Sequence, residues 1–314
     1  MSAAQQLAGH EKDIGGGFTV RRLLPAARQR SVGPFVFFDH FGPVTEQPGV
    51  NHDVRPHPHI GLATVTYLFE GAMMHRDSLG TEQLIEPGAI NWMNAGRGIA
   101  HSERRPERLR DVAYVNHGLQ LWVGVPQAAQ ESEPSFAHTP ASAIPEVAVG
   151  QATVRVLVGE AFGARSPVKP SSPTVYLDVQ LPAGARLTLP PLASELALYA
   201  VSGELSLDGE PALARHMQVL TTGAGCEIEA LSDTRIAVVG GEPLDGPRHM
   251  WWNFVHSDPD RIRQAAADWE AGRFARVPGE TEFIPLPEHR FVVPSASEQA
   301  AAPAPAAGPG PQFL

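Results

Sequence analysis

The chain has 314 residues, enough for two domains, and its 43% hydrophobic residues can form a sizeable core. Its formal net charge of -10 argues against direct binding to a nucleic-acid backbone, although it is compatible with a protein partner that binds nucleic acid. A single cysteine, Cys226, excludes an internal disulfide framework and any metal site built only from thiolates.

The N-terminus shows no sign of a targeting segment. Residues 1–13 contain no basic region followed by an apolar run, so a signal peptide is not expected. No stretch of the chain reaches the ~18 consecutive apolar residues that a membrane span needs. The sequence therefore predicts a soluble, cytoplasmic protein that does not enter membranes.

Short strands and turns fill the first half of the chain. Glycine and proline number 30 each, which favours many short strands over long helices. Apolar or alternating segments separated by turn residues recur about every 8–12 residues, a spacing typical of an antiparallel sandwich or barrel. The strands predicted here are 18–24, 35–39, 64–69, 73–76, 82–85, 90–93 and 119–123.

The second half repeats this pattern after a polar segment rich in proline and alanine at 126–145, which indicates a crossing between two halves. Asp208 and Gly209 supply a hairpin turn signal within it. Two similar all-β units in one chain indicate a duplication. The strands predicted here are 174–179, 186–189, 196–201, 204–207, 218–220 and 235–239.

The C-terminal part predicts one helix and a tail. A helix is expected at about 258–272, because Ser257 or Asp258 can cap its start and Gly272 can end it. Residues 294–314 are rich in alanine, proline and glycine, and this composition predicts disorder.

The stretch 55–103 carries two pairs of potential metal ligands, each with the spacing i, i+2. His57 and His59 form the first pair, and His101 and Glu103 form the second. Because side chains alternate along an extended strand, the two members of each pair project from one face. Two such strands lying across from each other in a barrel bring three imidazoles and one carboxylate to one point. Three nitrogens and one oxygen suit a borderline divalent transition metal and leave room for water or substrate.

Other residues have weaker claims to a role in the site. A carboxylate at the end of a strand can also face solvent or Arg104, which is the ordinary interpretation of Glu103. One of Trp92 and Met93 can line the barrel interior, although core packing is the favoured role for both. Cys226 is expected to be a small buried hydrophobe rather than a redox switch. Four further histidines lack a paired partner, which weakens their case for a place in the pocket: His40, His52, His75 and His117.

A set of short motifs covers nearly the whole chain except the tail. They are HPHIG at 57–61, TVTY at 64–67 with EG at 70–71, PG at 87–88 with NWM at 91–93, AGRGI at 95–99, HSE at 101–103, HGLQLWV at 117–123, GGEPL at 240–244, WNFV at 252–255 and a helix from Arg261. These motifs resemble the pirin family, a branch of the cupin superfamily. The resemblance implies an all-β bicupin fold, with two antiparallel β-barrel (jelly-roll) domains and a short C-terminal helix. The domains expected are a metal-binding cupin at 1–130 and a second cupin without metal ligands at 131–293.

The resemblance also implies one non-haem metal held by the two ligand pairs, usually iron and here expected as Fe(II). Manganese, nickel, cobalt and copper are accepted by the same donors. Ordinary cupins place a glutamate a few residues after the histidine pair, where this chain has Ala63 and Thr64; the pirin-like pattern supplies the carboxylate from Glu103 instead. In the second half His216 stands alone, so that barrel is expected to have a structural role.

The function implied by the resemblance is oxygen-dependent cleavage of a flavonol such as quercetin, by a 2,3-dioxygenase. The metal would bind the deprotonated 3-hydroxyl, and Glu103 would act as the general base that takes its proton. The alternative is a non-catalytic regulator, in which the redox state of the metal changes the surface seen by a protein partner. Both functions need the same four ligands, so the sequence does not separate them. A cupin sugar isomerase is less favoured, because no phosphate-binding cluster is evident.

Overall fold

The chain folds into two antiparallel β-sheet units in a computed structural model, which describes residues 5–14, 18–50 and 52–292. The first half contains β1 (Gln5–Ala8), β2 (His10–Asp13), β3 (Thr19–Leu24), β4 (Phe35–Glu46), β5 (Val54–His59), β6 (Leu62–Glu70), β7 (Met73–Asp77), β8 (Glu82–Ile85), β9 (Ile90–Asn94), β10 (Ile99–Arg104), β11 (Tyr114–Gly124), β12 (Ser135–Thr139) and β13 (Glu146–Val149). The second half contains β14 (Ala152–Val158), β15 (Glu160–Ala161), β16 (Ala164–Arg165), β17 (Thr174–Leu181), β18 (Arg186–Leu189), β19 (Glu195–Ser202), β20 (Leu205–Leu207), β21 (Glu210–Ala212), β22 (His216–Val219), β23 (Cys226–Ala230), β24 (Thr234–Gly241), β25 (His249–Trp251) and β26 (Phe254–His256). The helical segments are α1 (Pro259–Glu270) and short 3-10 turns at Glu107–Leu109, Gln127–Ala129 and Ala141–Ala143.

Each half has one large and one small sheet, and β15-β16 and β25-β26 form two further two-stranded sheets. The first half has a seven-stranded sheet in the order β12-β9-β6-β11-β4-β3-β2 and a four-stranded sheet in the order β5-β10-β7-β8. The second half has the seven-stranded order β1-β22-β19-β24-β17-β14-β13 and the four-stranded order β18-β23-β20-β21. The predicted antiparallel all-β architecture in two similar halves is confirmed.

The largest hydrophobic core lies between the two seven-stranded sheets, where Phe38 packs edge-on against Tyr199. This packing explains why β6 is buried at eight consecutive positions, since a sheet covered on both faces has no solvent side. A polar contact also crosses the interface: the Tyr67 hydroxyl donates to Asp178 Oδ2 at 2.7 Å, and Arg235 donates to the same carboxylate. The two halves therefore share one core and are joined by a buried hydrogen bond as well.

Sheet membership does not follow chain order at β1 and β13, which belong to the second large sheet. β12 follows the predicted domain boundary at 130/131 but pairs with β9 in the first large sheet. β1 begins the described chain but pairs with β22 in the second large sheet. The boundary itself stays a prediction, and the tail predicted at 294–314 lies outside the described residues.

The predicted C-terminal helix is present as α1. The Asp258 carboxylate caps its start by accepting a hydrogen bond from the Asp260 N–H at 2.9 Å. Ile262 and Ala265 are fully buried and pack on the aromatic residues of β25 and β26. At 12 residues α1 is short, and no helix in the described part of the chain is long and apolar enough to cross a membrane.

A pH-dependent stability is expected from His40, which is buried between the halves. Its Nδ1 lies 2.8 Å from the Tyr199 hydroxyl, and its Nε2 lies 2.9 Å from Nε2 of His117. Burial, together with the neighbouring His117, lowers the pKa of His40 to about 3. His40 is harder to protonate in the folded state than in the unfolded chain, where its pKa is about 6.5. Its contribution to the stability is therefore fully present above that pH and is lost as the pH falls. The loss assigned to His40 between pH 7 and pH 4 is about 3 kcal/mol.

Urea unfolding of the wild type and of His40→Gln at pH 7 and pH 4 measures this effect. The glutamine variant should lose about 3 kcal/mol less stability over that range than the wild type. His216→Gln is the matched control, because that histidine is only partly buried and its Nδ1 contacts the Ala214 carbonyl on the surface. The same pH dependence in wild type and His40→Gln contradicts the assignment.

Candidate metal centre

The two predicted ligand pairs lie on neighbouring antiparallel strands, β5 and β10. Their register places His101 opposite His57, and a bulge after His101 places Glu103 opposite Val54. Because side chains alternate along each strand, His59 points to the same side as His57. The pairing of β5 with β10 thus brings the histidines from both ends of the 55–103 stretch together.

Three imidazoles form a compact group in the first half. Ring nitrogens of His57, His59 and His101 all lie within 4.8 Å of one another. Nε2 of His59 is 3.1 Å from Nε2 of His101, and all three side chains are buried. Trp122 closes one side of the group, with its ring edge-on to His59 at 5.3 Å between centroids.

Backbone carbonyls fix the tautomers of two of these histidines. Nδ1 of His57 donates to the Arg55 carbonyl at 2.9 Å, and Nδ1 of His59 donates to the Asn253 carbonyl at 3.0 Å. A carbonyl oxygen only accepts, so the proton is on Nδ1 and the Nε2 lone pair is free. Both free lone pairs belong to the three-imidazole group, which is the arrangement that metal-ligating histidines adopt.

The electrostatics of the group favour neutral imidazoles. Burial lowers the pKa of His57 to about 4, and burial together with the neighbouring rings lowers the pKa of His59 and His101 well below the usual range. Two Nε2 lone pairs 3.1 Å apart repel each other unless a cation lies beside both. Because protons are disfavoured here, the donor set fits a divalent transition metal.

Glu103 lies two residues along β10 from His101 but is not one of the three members of the group. It lines a cavity of about 40 Å³ together with Phe18, His52, Met73 and Asn116, among others. Removal of its carboxyl group from water raises the pKa of Glu103 to about 7. An acid with this pKa exchanges its proton readily near neutral pH.

The four unpaired histidines occupy three different places. His40 and His117 contact each other between the two halves, away from the imidazole group. His52 lines the small cavity and pairs with the buried Glu46 at 2.7 Å. His75 lies next to His101, with 3.4 Å between their Nδ1 atoms. Its i, i+2 spacing to the acidic Asp77 matches the spacing of the ligand pairs and is the sequence signal that could have indicated this place.

The ordinary interpretations of three other residues are confirmed. Trp92 belongs to the core between the two large sheets, and Met93 packs in a small cluster with Ile99. Cys226 is buried in the apolar core of the second half. Packing, rather than contact with a substrate, accounts for these three side chains.

Comparison with known proteins gives consistent matches for both halves. The family model for pirin matches residues 17–123, and the model for the pirin C-terminal cupin domain matches residues 176–275. A pirin-like protein of Caulobacter vibrioides is 46% identical over 282 residues, which cover 88% of this chain and 96% of that protein. Human pirin is 34% identical over 267 residues, which cover 82% of this chain and 89% of that protein.

A solved structure supports the same assignment. The crystal structure of quercetin 2,3-dioxygenase from Acinetobacter baumannii superimposes with a TM-score of 0.86 at 35% sequence identity, covering 92% of this chain and 97% of that chain. Together with the two family models, this likeness confirms that the fold is a bicupin.

Proposed function

The chain belongs to the pirin family, and on this basis we propose that it is a metal-dependent flavonol 2,3-dioxygenase acting on quercetin or a similar flavonol. The observation that carries the proposal is the group of three buried imidazoles, with Glu103 two residues along β10 from His101. The quercetin 2,3-dioxygenase of Acinetobacter baumannii, which shares this fold at 35% identity, supports the choice of substrate class.

The proposed ligands are His57, His59 and His101 through Nε2, with Glu103 as the fourth. Fe(II) is the proposed metal, because three imidazoles and a carboxylate suit it, although manganese, nickel, cobalt and copper take the same donors. Such a metal, when bound, supplies Lewis-acid stabilisation of an oxyanion and a means of activating dioxygen.

Glu103 is proposed to act as the general base of the reaction. Its carboxylate would accept the proton of the flavonol 3-hydroxyl. The deprotonated flavonol is the electron-rich form that reacts with dioxygen and opens with loss of carbon monoxide. The apolar side chains around the site would exclude water from this step.

Substrate binding is proposed to widen the cavity beside Glu103. The present volume of about 40 Å³ holds only a few water molecules, whereas sites for molecules of flavonol size enclose about 300 Å³ or more. Phe18 and Met73 form part of the apolar wall, so these side chains would move to admit a planar substrate.

The test is quercetin turnover by protein that has been reconstituted with Fe²⁺ under anaerobic conditions and then exposed to air. Glu103→Gln should lower kcat by about 10²- to 10⁴-fold, because the amide cannot accept the proton. Oxygen consumption and carbon monoxide release measure the reaction, and metal analysis shows how much Fe²⁺ each variant carries.

Glu107→Gln is the matched control, since Glu107 is an exposed residue of the 3-10 turn that follows β10. Its turnover should equal that of the wild type. Stoichiometric metal without turnover of any flavonol contradicts the dioxygenase and favours the regulator that acts through a protein partner.

A further inference from the structure

His75 and Asp77 form a hydrogen-bonded chain behind His101. They lie on β7, which pairs with β10 on the side opposite β5 and places Asp77 across from His101. Nε2 of His75 is 2.9 Å from Asp77 Oδ2, and Nδ1 of His75 is 3.4 Å from Nδ1 of His101. All three side chains are at least 95% buried, so water does not compete for these contacts.

We propose that Asp77 and His75 are positioning residues that fix the tautomer of His101, so that Nε2 of His101 is presented to the metal. The inference rests on the metal site proposed above. It adds the physical reason why His101, the third histidine ligand, has its orientation. His57 and His59 are oriented by backbone carbonyls, whereas His101 is oriented by a side-chain relay.

The relay begins with the two oxygens of Asp77, which are used for different purposes. Oδ1 accepts the backbone N–H groups of Leu79 at 2.9 Å and Thr81 at 3.0 Å, which ties the carboxylate to the turn after β7. Oδ2 is left for His75. Burial alone would raise the pKa of Asp77, but the hydrogen bonds from His75 and Thr81 outweigh it and hold this pKa below its ordinary value. An ionised carboxylate only accepts, so Nε2 of His75 carries the proton.

The tautomer of His75 then determines that of His101. Because Nε2 of His75 donates to Asp77, Nδ1 is the ring nitrogen of His75 that is available to accept a hydrogen bond from His101. When Nε2 of His101 binds the metal, the proton of His101 is on Nδ1, which faces Nδ1 of His75 and donates to it. Phe136 stacks on the His75 ring at 4.4 Å with an interplanar angle of 18°, and this stacking holds the ring in the plane of the relay.

Asp77→Asn tests the relay with a nearly isosteric change. The two backbone N–H groups need an acceptor, so the single amide oxygen faces Leu79 and Thr81 and the amide NH₂ faces His75. His75 then has to accept at Nε2 and carry its proton on Nδ1, which forces His101 to protonate Nε2, its ligand atom. We expect the affinity for Co²⁺, measured by competition with a chelator, to fall by about 10- to 100-fold.

A second readout uses metal-free protein labelled with ¹⁵N-histidine. Long-range ¹H–¹⁵N spectra should show His75 protonated on Nε2 in the wild type and on Nδ1 in Asp77→Asn. A role of Asp77 in folding alone would not exchange the two tautomers. Neither readout involves a flavonol, so a failed dioxygenase assay and a failed relay are separate results.

Two variants of His75 keep the proposal testable if Asp77→Asn folds poorly. His75→Asn places an amide oxygen where Nδ1 was and can still accept from His101, so its Co²⁺ affinity should stay within about 3-fold of wild type. His75→Gln places its amide near the Nε2 position, contacts Asp77 and does not support His101, so it should lose about 10-fold or more. The opposite order of the two variants overturns the relay.

Asp178→Asn is the control for loss of a buried carboxylate, because it disrupts the pair with Arg235 between the halves and leaves β7 intact. Its Co²⁺ affinity should equal that of the wild type even though its stability falls. Unchanged Co²⁺ affinity in Asp77→Asn, with His75 still protonated on Nε2, refutes the proposal.

Discussion

Replacement of His101 by alanine should abolish both metal binding and flavonol turnover. The change removes one of three nitrogen donors from the centre of the group, where Nε2 of His59 lies 3.1 Å away. Because loss of a supporting residue already weakens metal sites by about 10- to 100-fold, loss of a ligand should cost at least about 100-fold in affinity. Metal analysis after reconstitution with Fe²⁺, followed by the oxygen-consumption assay, measures both losses in one preparation.

His216→Ala makes the same chemical change away from the group, at a partly buried histidine in the second half. This variant should keep one metal ion per chain and full turnover. Stoichiometric metal in His101→Ala would disprove the three-imidazole site. Metal loss in both variants would point to a general effect on the fold.

Gly61→Ala should be among the most destabilising single substitutions in the chain. Gly61 has a φ of +67°, and a Cβ built on it would lie 1.9 Å from the Val255 carbonyl oxygen. That contact cannot be relieved by a rotamer change, since the atom belongs to the backbone of the β25–β26 hairpin. Strain and displacement of the hairpin together should cost about 3 kcal/mol or more. Thermal or urea unfolding of the metal-free protein measures the cost.

Gly80→Ala separates the steric clash from the effect of a positive φ. Gly80 has a φ of +86°, but a Cβ there meets nothing within 4 Å, so only the conformational cost of about 1 kcal/mol should appear. Gly61→Ala should also weaken metal binding, because the hairpin that it displaces carries the Asn253 carbonyl that orients His59. Equal destabilisation by the two alanines contradicts the proposed clash.

The sequence predicted the features that depend on local signals. The helix expected at about 258–272 is present as Pro259–Glu270, because a cap, a proline and a glycine mark its ends within the segment itself. Alternation of side chains correctly predicted that His57 and His59 share one face, and the pairing of two strands then brought His101 to them.

Features that depend on distant pairing could not be read from the sequence. β12 lies within the segment predicted to be a crossing, and only its register with β9 makes it a strand of the first sheet. His75 gave a weak signal by itself, because its importance depends on the pairing of β7 with β10. Asn253 contributes its backbone carbonyl, and a motif of side chains in the sequence does not predict the direction of a backbone carbonyl.

The hydrogen bond between His59 and Asn253 joins residues 194 positions apart, and this separation determines when the site can be completed during synthesis. The ribosome synthesises the chain from its N-terminus, so the first cupin can begin to fold before the segment that orients His59 has been translated. The nascent chain therefore contains His59 long before it contains Asn253, whose carbonyl orients the His59 ring. The hydrogen bond that orients His59 can therefore form only after translation of the β25–β26 hairpin.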